Sequence, residues 1–262
     1  MKKLISLFLG VSVLLLAACS KQPDTASSEQ KNDAAGLQTV VIASTGSDAD
    51  IWRHIASLPE TKAAGIKLEV KNFTDYVAMN TAVANKEVDL NAFQSYAYLV
   101  AFNAANKDKI APVSTTYLEP MGIYSNKVKK VEEFAQGATI AIPNDGANES
   151  RALLLLQSAG LIKLKPDFDP VKGTPADIIE NSKKIVIKPI QMATAVRVKD
   201  EVDAILLGNT LAMEGGLNVL KDAIYYEPID QSTKLNVNIL ATAESRKDDP
   251  VLQKVGALYH TE

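Results

Sequence analysis

The feature that most constrains the fold is a repeated alternation between short β-branched segments and longer segments with helical periodicity. Residues 39–43 have the length and β-branching of a buried strand, and Ser47 or Asp48 can cap a helix that continues to about residue 64. Residues 66–70 alternate apolar and polar side chains, which predicts a half-buried strand. Strands that alternate with helices in this way predict an α/β fold with mostly parallel sheets.

The same alternation continues through the rest of the chain. Thr74 or Asp75 can cap a helix whose apolar face includes Tyr76. A helix is predicted over residues 147–159, and its apolar stretch at residues 152–156 predicts deep packing. Further strands are predicted at residues 88–93, 138–143, 185–187, 202–207 and 237–241, and further helices at residues 95–106, 174–183, 192–198 and 251–259.

Polar residues follow three of the predicted strands where each strand ends. These junctions are Phe93-Gln94-Ser95, Pro143-Asn144-Asp145 and Leu207-Gly208-Asn209. In open α/β sheets, ligands bind beyond the carboxyl ends of the strands. The sequence therefore predicts a binding site at these junctions.

The N-terminus has the pattern of an exported protein. Lys2 and Lys3 precede an apolar run over residues 4–16, which is shorter than the roughly 20 residues of a membrane span. Small residues then lead to Cys19, the single cysteine of the chain. This pattern resembles the bacterial lipoprotein signal, which implies removal of residues 1–18 and lipidation of Cys19. An ordinary signal with a chance cysteine is the alternative. Acyl chains would anchor the protein to a membrane without spanning it.

Composition separates a polar tether from a globular body. Residues 19–37 carry almost no large apolar side chains and are predicted to form a flexible tether. The remaining residues suffice for one large domain or two lobes. The chain is 47% hydrophobic and has no second cysteine for a disulfide, so apolar burial must stabilise the core. Acidic residues outnumber basic ones, 31 to 28, which argues against nucleic acid as a partner.

Motifs for catalysis and metal binding are not apparent in the sequence. The two histidines, His54 and His260, lie far apart, and Cys19 is assigned to lipid, so we predict neither a metal site nor a cofactor. The chain contains no Gly-x-Ser-x-Gly elbow and no glycine-rich phosphate loop. The sequence therefore nominates no catalytic residues, and an enzyme stays open as an alternative at this point.

The predicted junctions contain the residue types that bind a small zwitterion. A carboxylate is bound by arginine or a helix N-terminus, an ammonium by oxygen acceptors, and an apolar side chain by aromatic rings. Arg151 lies near the start of an otherwise apolar helix, where its charge opposes the helix dipole and needs a nearby anion. That anion is either a ligand carboxylate or a surface carboxylate of Asp145 or Glu149.

Asparagines and aromatic residues near the junctions also have two explanations each. Asn144 and Asn148 can cap a helix or bind a ligand, Asn209 can form a turn or bind a ligand, and Asn238 can form a buried hydrogen bond or bind a ligand. Aromatic rings at this spacing belong either to the core or to a pocket. These aromatic residues are Tyr76, Phe93, Tyr96 and Tyr98.

Several of these residues stand in blocks that resemble the methionine-binding lipoprotein family, also called the NlpA family. The blocks are Asp75-Tyr76-Val77, Glu87-Val88-Asp89-x-Asn91-x-Phe93-Gln94, Tyr98-Leu99 and Pro143-Asn144-Asp145-x-x-Asn148-x-x-Arg151. Gly208-Asn209, the Asn238 strand and the lipoprotein signal fit the same family. The resemblance extends from about residue 37 to the end of the chain.

The resemblance implies a two-lobed periplasmic-binding-protein fold that serves an ABC importer, with its permease and ATPase as partners. Residues 38–122 and 229–262 would form the first lobe and residues 123–228 the second, with methionine or a related amino acid in the cleft. Arg151 would clamp the carboxylate. Asn148, Asn209 and Asn238 would hold the amino and carboxyl groups, and Tyr76, Phe93 and Tyr98 would surround the thioether. Asn144 and Ser95 complete the predicted site.

One residue of the predicted site departs from the family pattern. Histidine usually follows Phe-Gln in this family, whereas this chain has Ser95, which removes a ring and enlarges the pocket. Another amino acid, a methionine derivative or a short peptide is therefore an alternative ligand. A secreted α/β enzyme acting on amino-acid derivatives, and an adhesin or signalling lipoprotein of the same fold, are alternatives from other classes. We expect an exported, lipid-anchored monomer at the periplasmic face or the outer cell surface.

Overall fold

A computed structural model describes residues 36–261. The predicted signal at residues 1–18, the lipidation site Cys19 and all but the end of the predicted tether lie outside the described residues. Within residues 36–261, no helix is both long enough and apolar enough to cross a membrane.

Twelve strands and eight α-helices alternate along this part of the chain. The strands are β1 (Gln38–Ser44), β2 (Ile66–Asn72), β3 (Leu90–Ser95), β4 (Ile110–Leu118), β5 (Met121–Tyr124), β6 (Thr139–Pro143), β7 (Lys163–Leu164), β8 (Ile178–Glu180), β9 (Val186–Ile190), β10 (Ala204–Gly208), β11 (Tyr225–Tyr226) and β12 (Val237–Ala243). The helices are α1 (Gly46–Ser57), α2 (Pro59–Ala63), α3 (Tyr76–Ala84), α4 (Tyr96–Ala105), α5 (Gly146–Ser158), α6 (Asn209–Glu214), α7 (Val219–Asp222) and α8 (Pro250–Leu258).

Two five-stranded sheets contain ten of these strands, and β7 pairs antiparallel with β8 in a separate two-stranded sheet. The first sheet has the order β2-β1-β3-β12-β4 and the second the order β11-β5-β10-β6-β9. Each contains three neighbouring parallel strands, β2-β1-β3 and β10-β6-β9, extended by antiparallel strands on one side. The predicted α/β class is confirmed. We call the first sheet with α1–α4 and α8 the first lobe, and the second sheet with α5–α7 the second lobe.

The chain passes between the lobes twice. The first passage joins β4 to β5 through Glu119 and Pro120. The second follows β11 and ends where β12 enters the first sheet between β3 and β4. Because β12 is the return strand, residues distant in sequence are brought to the same side of the first sheet, at the carboxyl end of β3.

Local sequence signals explain where the structure differs from the predicted helices. The helix predicted to end near residue 64 is divided into α1 and α2, because Pro59 restricts Leu58 to an extended backbone. Residues 174–183 were predicted to be helical, and this prediction is wrong. Pro175–Asp177 form a single 3-10 turn, held by a capping box between Thr174 and Asp177, and the chain then continues as the short strand β8.

The helix α5 is packed as its apolar stretch predicts. Leu153 is 0% exposed and lies in an apolar cluster with Ile140 and Leu206 of the second sheet. Burial of this face fixes α5 against the sheet, and its first turns meet the space between the lobes. The packing of α5 therefore determines the position of Arg151.

We expect Leu153→Ala to lower the free energy of unfolding by about 2–5 kcal/mol, because it removes buried methyl groups and leaves a cavity. Leu220→Ala is the matched control, since Leu220 is 72% exposed, and it should change stability by less than about 0.5 kcal/mol. Chemical denaturation measures both. Equal stability of the two variants would contradict the packing described for α5.

Candidate ligand-binding cleft

Two contiguous chambers lie between the lobes, at the carboxyl ends of β3, β6 and β10. The inner chamber has a volume of about 40 Å³ and the outer chamber about 280 Å³. The inner chamber is lined by Thr45, Asp48, Tyr76, Phe93, Gln94, Ser95, Tyr98, Glu119, Asn148, Arg151, Met192, Gly208, Thr210, Leu211 and Asn238. The outer chamber is lined by Thr45, Thr74, Asp75, Tyr76, Val77, Tyr98, Asn144, Asp145, Gln191, Met192, Ala193, Leu211 and Glu214.

Most of the predicted site residues meet in these chambers. Asn209 is the exception: it begins α6 outside the lining of both, and its Nδ2 contacts Sδ of Met213 at 3.3 Å. Asn144 lies in the outer chamber only. Sequence reasoning missed Asp48, Glu119 and Thr210, which approach the cleft from three separate parts of the chain.

Three aromatic rings form one side of the inner chamber. The centroids of Tyr76 and Phe93 lie 5.1 Å apart, those of Phe93 and Tyr98 5.7 Å, and those of Tyr76 and Tyr98 6.3 Å. Caps at helix starts hold the two tyrosines. Asp75 accepts a hydrogen bond from the Ala78 backbone, and Oγ of Ser95 accepts one from the Tyr98 backbone. The Ser95 hydroxyl is therefore a helix cap at the edge of the chamber.

A buried amide network lies next to the aromatic wall in the sequence of β3, and its Gln94 also lines the inner chamber. Gln94 donates to Oδ1 of Asn80 at 2.7 Å and to Oδ1 of Asn91 at 2.7 Å. Asn80 and Asn91 are joined at 2.8 Å. Buried amides are costly unless their hydrogen bonds are satisfied, so this closed network fixes one conformation of β3 beside the site.

Arg151 forms a buried ion pair with Glu227. Nε lies 2.8 Å from Oε1 and Nη2 lies 2.6 Å from Oε2, while Nη2 also donates to the backbone oxygen of Glu119. Both residues are 5% exposed. Because α5 begins at Gly146, Arg151 lies in its second turn. The two surface partners considered from sequence are wrong, and the partner is 76 residues further along the chain.

Two hydrogen-bond donors of the inner chamber have no acceptor. Nη1 of Arg151 donates to none of the described residues, and neither does Nδ2 of Asn238, although Asn238 is only 4% exposed. Asn148, in contrast, uses Nδ2 to donate to Oδ1 of Asp145 at 2.9 Å. Buried donors are normally satisfied, so an unpaired Asn238 indicates an acceptor that arrives with a ligand.

A row of hydrogen bonds joins the lobes beside the chamber. The Tyr117 hydroxyl, from the first lobe, lies 2.5 Å from Oδ1 of Asp48 and 3.1 Å from Oγ1 of Thr210 in the second lobe. Oγ1 and the backbone nitrogen of Thr210 each donate to Oε2 of Glu119 at 2.8 Å. The row therefore connects two carboxylates through two hydroxyls.

Proton counting shows that this row is complete only when Asp48 is protonated. The Thr210 hydroxyl donates to Glu119, so it can only accept from Tyr117. Tyr117 can make that donation only if Asp48 carries a proton and donates to Tyr117. Burial raises the pKa of Asp48 to about 7, and the negative charges of Glu119 and Glu214 act in the same direction. When Asp48 is ionised, the single Tyr117 proton is donated to Oδ1 of Asp48 instead of to Thr210, and this hydrogen bond opposes the rise in the pKa of Asp48.

We expect Asp48 to make the protein less stable as the pH rises from 3.8, the ordinary pKa, to about 7. The folded chain retains a proton that the unfolded chain releases in this interval, so the stabilisation is present at low pH and lost at high pH. Asp48→Asn should flatten this contribution, because an amide donates to Tyr117 at any pH. Thermal unfolding across this pH range measures the effect.

The matched control is Asp50→Asn on the same helix, where the side chain is 76% exposed. Its pH profile should follow that of the unsubstituted protein. If Asp48→Asn followed it as well, Asp48 would not titrate with a raised pKa.

Comparison with known proteins agrees with this architecture. The model of the NlpA lipoprotein family matches residues 40–262. The chain is 34% identical to the probable D-methionine-binding lipoprotein MetQ of Pasteurella multocida, over 99% of this chain and 92% of the relative.

Solved structures give the same result. A nutrient-binding protein from Burkholderia cenocepacia, bound to methionine, superimposes with a TM-score of 0.78 at 34% identity, covering 85% of this chain and 92% of the other. The substrate-binding protein of a methionine transporter from Streptococcus pneumoniae superimposes with a TM-score of 0.77 at 38% identity, covering 86% of this chain and 89% of the other. The fold is thus that of substrate-binding proteins, and the chain belongs to the NlpA lipoprotein family.

Proposed function

We propose that the protein is the substrate-binding receptor of an ABC importer and that it binds methionine or a close derivative in the cleft. Relatives of similar length are named for methionine binding and for methionine transport. The observation that carries the proposal is Nδ2 of Asn238, a buried donor without an acceptor that lines the inner chamber together with Arg151. An arginine and an amide that line the same chamber suit the two oxygens of a carboxylate.

Glu227 fixes the orientation of the Arg151 guanidinium and leaves part of it available for a ligand. The carboxylate of Glu227 accepts from Nε and Nη2 and also from the backbone nitrogen of Met121 at 2.8 Å. The guanidinium plane is therefore fixed before a ligand arrives, which lowers the entropy lost on binding. Nη1 is the part of the guanidinium left to donate to the ligand.

The aromatic wall suits the rest of a methionine molecule. Tyr76, Phe93 and Tyr98 present ring faces and edges, and a thioether sulfur gains roughly 0.3–1.5 kcal/mol from contact with an aromatic ring. Ser95 lies at the edge of this wall, where its small side chain leaves room for a ligand larger than methionine. Asn148 adds an amide beside the proposed carboxylate position.

The family and the named relatives support a binding protein and give no support for an enzyme. Residues 36–261 contain no group of three or more histidine, cysteine or carboxylate side chains arranged to hold a metal ion. Most polar groups of the inner chamber are held in hydrogen bonds within the protein, and Nδ2 of Asn238 has no acceptor among the described residues. Closure of the two lobes around the ligand and delivery to a permease with its ATPase is the corresponding mechanism.

We expect Arg151→Lys to weaken methionine binding by roughly thirtyfold, because a charged hydrogen bond of about 2 kcal/mol is lost. The lysine retains a cation opposite Glu227, so the buried carboxylate is not left alone. Arg246→Lys is the matched control, since Arg246 pairs with Asp89 and Asp249 away from the cleft. Isothermal titration calorimetry measures both. Unchanged affinity in Arg151→Lys would exclude the carboxylate clamp.

We also propose that acyl chains on Cys19 anchor the receptor to the membrane. Cys19→Ala should move the protein from the membrane fraction to the soluble exported fraction, whereas Ser20→Ala, the adjacent control, should leave it in the membrane. Fractionation followed by mass spectrometry of the N-terminal peptide measures this. An unmodified Cys19 in membrane-bound protein would refute the anchor.

A further inference from the structure

The inner chamber contains a single basic residue, and its charge is already neutralised. Arg151 is the only lysine, arginine or histidine among the lining residues, and Glu227 pairs with it at 2.6 Å. Asp48 and Glu119 line the same chamber. Even with Asp48 partly protonated near neutral pH, the chamber carries net negative charge before the ligand is counted.

The outer chamber is more strongly acidic. Asp75, Asp145 and Glu214 reach it from three different elements, and none of its lining residues is basic. Asp75 and Asp145 also cap α3 and α5, but a neutral asparagine or serine serves that purpose equally well. Glu214 accepts no hydrogen bond from the part of the chain that is described. Capping therefore does not account for the charge of this chamber.

The negative charges converge on the two tyrosines that separate the chambers. Tyr76 and Tyr98 line both chambers. Burial raises the pKa of Tyr76, and the charges of Glu214, Glu119, Asp48 and Asp145 raise it further. For Tyr98, burial acts with Asp145 and Asp75. Aromatic ring faces attract cations, so rings and carboxylates here favour the same kind of ligand group.

The dimensions of the cleft place that group in the outer chamber. The inner chamber, at about 40 Å³, holds a carboxylate but not a whole amino acid. Nδ2 of Asn238, buried and unpaired, independently indicates that a ligand group enters there. A ligand anchored at this end extends past Tyr76 and Tyr98 into the 280 Å³ of the outer chamber.

We propose that the outer chamber is a cation subsite, an inference that rests on the proposed function. The subsite is formed by the carboxylates of Asp75, Asp145 and Glu214 and the rings of Tyr76 and Tyr98. The preferred ligand is accordingly an amino-acid derivative that carries a positive group distant from its carboxylate. Two sources share this chemistry: a side chain with a sulfonium, and the free N-terminus of a dipeptide.

Two matched pairs of probes separate the effect of ligand charge from the effect of ligand size. S-methyl-L-methionine and L-ethionine have the same number of heavy atoms, and only the first carries a sulfonium. Alanyl-L-methionine and N-propionyl-L-methionine differ by the single amine of the dipeptide. Calorimetry at low salt should show the charged member of at least one pair binding about fivefold tighter or more, and the pair that responds identifies the source. The preference should shrink at high salt.

The double variant Asp75→Asn, Glu214→Gln tests which residues cause the preference. Both substitutions keep the side-chain shape, and asparagine can still cap α3. The variant should lose most of the preference for the charged probe, measured as the ratio of its affinity to that of its neutral partner. Asp108→Asn, Glu180→Gln is the control, because it removes two exposed carboxylates that lie outside both chambers.

Three outcomes would overturn the cation subsite. They are equal affinity within both probe pairs, tighter binding of both neutral probes, and a preference that is unchanged in the double variant. Binding of L-methionine to the unsubstituted protein is measured in the same series. If methionine binds while the charged probes bind no more tightly than their neutral partners, the cation subsite is refuted and the proposed function stands. If none of the probes binds, the proposed function itself fails.

Discussion

The buried ion pair between Arg151 and Glu227 is the interaction on which the site depends. It joins a residue in the second turn of α5 to one on the segment that returns from the second lobe to the first. Removing one partner of such a pair costs about 3–5 kcal/mol, because the other charge is left buried alone. The pair thus holds the guanidinium and the returning segment together. Because Glu227 neutralises its charge, Arg151 can stay buried at the cleft when no ligand is bound.

The ion pair also determines the charge that a ligand meets. An unpaired arginine would give the inner chamber a positive potential and favour anionic ligands. With Glu227 in place, Arg151 contributes directional donors but little net charge, and the carboxylates Asp48 and Glu119 set the sign of the field. The same arrangement can therefore bind a carboxylate through hydrogen bonds while the surrounding cleft favours positive groups.

In the contacts between the lobes, single residues also take part in more than one hydrogen bond. Glu119 lies on the first passage between the lobes, accepts from Thr210 through its side chain, and accepts from Arg151 through its backbone oxygen. The row from Asp48 through Tyr117 to Thr210 closes beside the chamber, so binding and lobe closure involve neighbouring groups. The aromatic wall, held by helix caps and a buried amide network, faces this polar side across a narrow space.

Sequence alone determined the α/β class and the strands that end at the cleft, and all of the predicted site residues except Asn209 line it. Period-two and helical patterns depend on local burial, and caps such as Asp75 and Ser95 act within one turn. These features can therefore be predicted from short stretches of sequence. The family resemblance also followed from local blocks. The helix predicted at residues 174–183 starts at Pro175 with a capping box, but it ends after Asp177 because Ile178–Glu180 form the strand β8, which pairs with β7.

Only the tertiary structure decided how those residues are used. Arg151 pairs with Glu227 and not with the nearby Asp145 or Glu149, since β12 and the segment before it return to the cleft from the far end of the chain. Asp48, Glu119 and Thr210 meet for the same reason, and Asn209 faces away although its neighbour Thr210 faces in. Ion pairing, hydrogen-bond completion and chamber charge are long-range properties, because they depend on which distant segments the two sheets bring together.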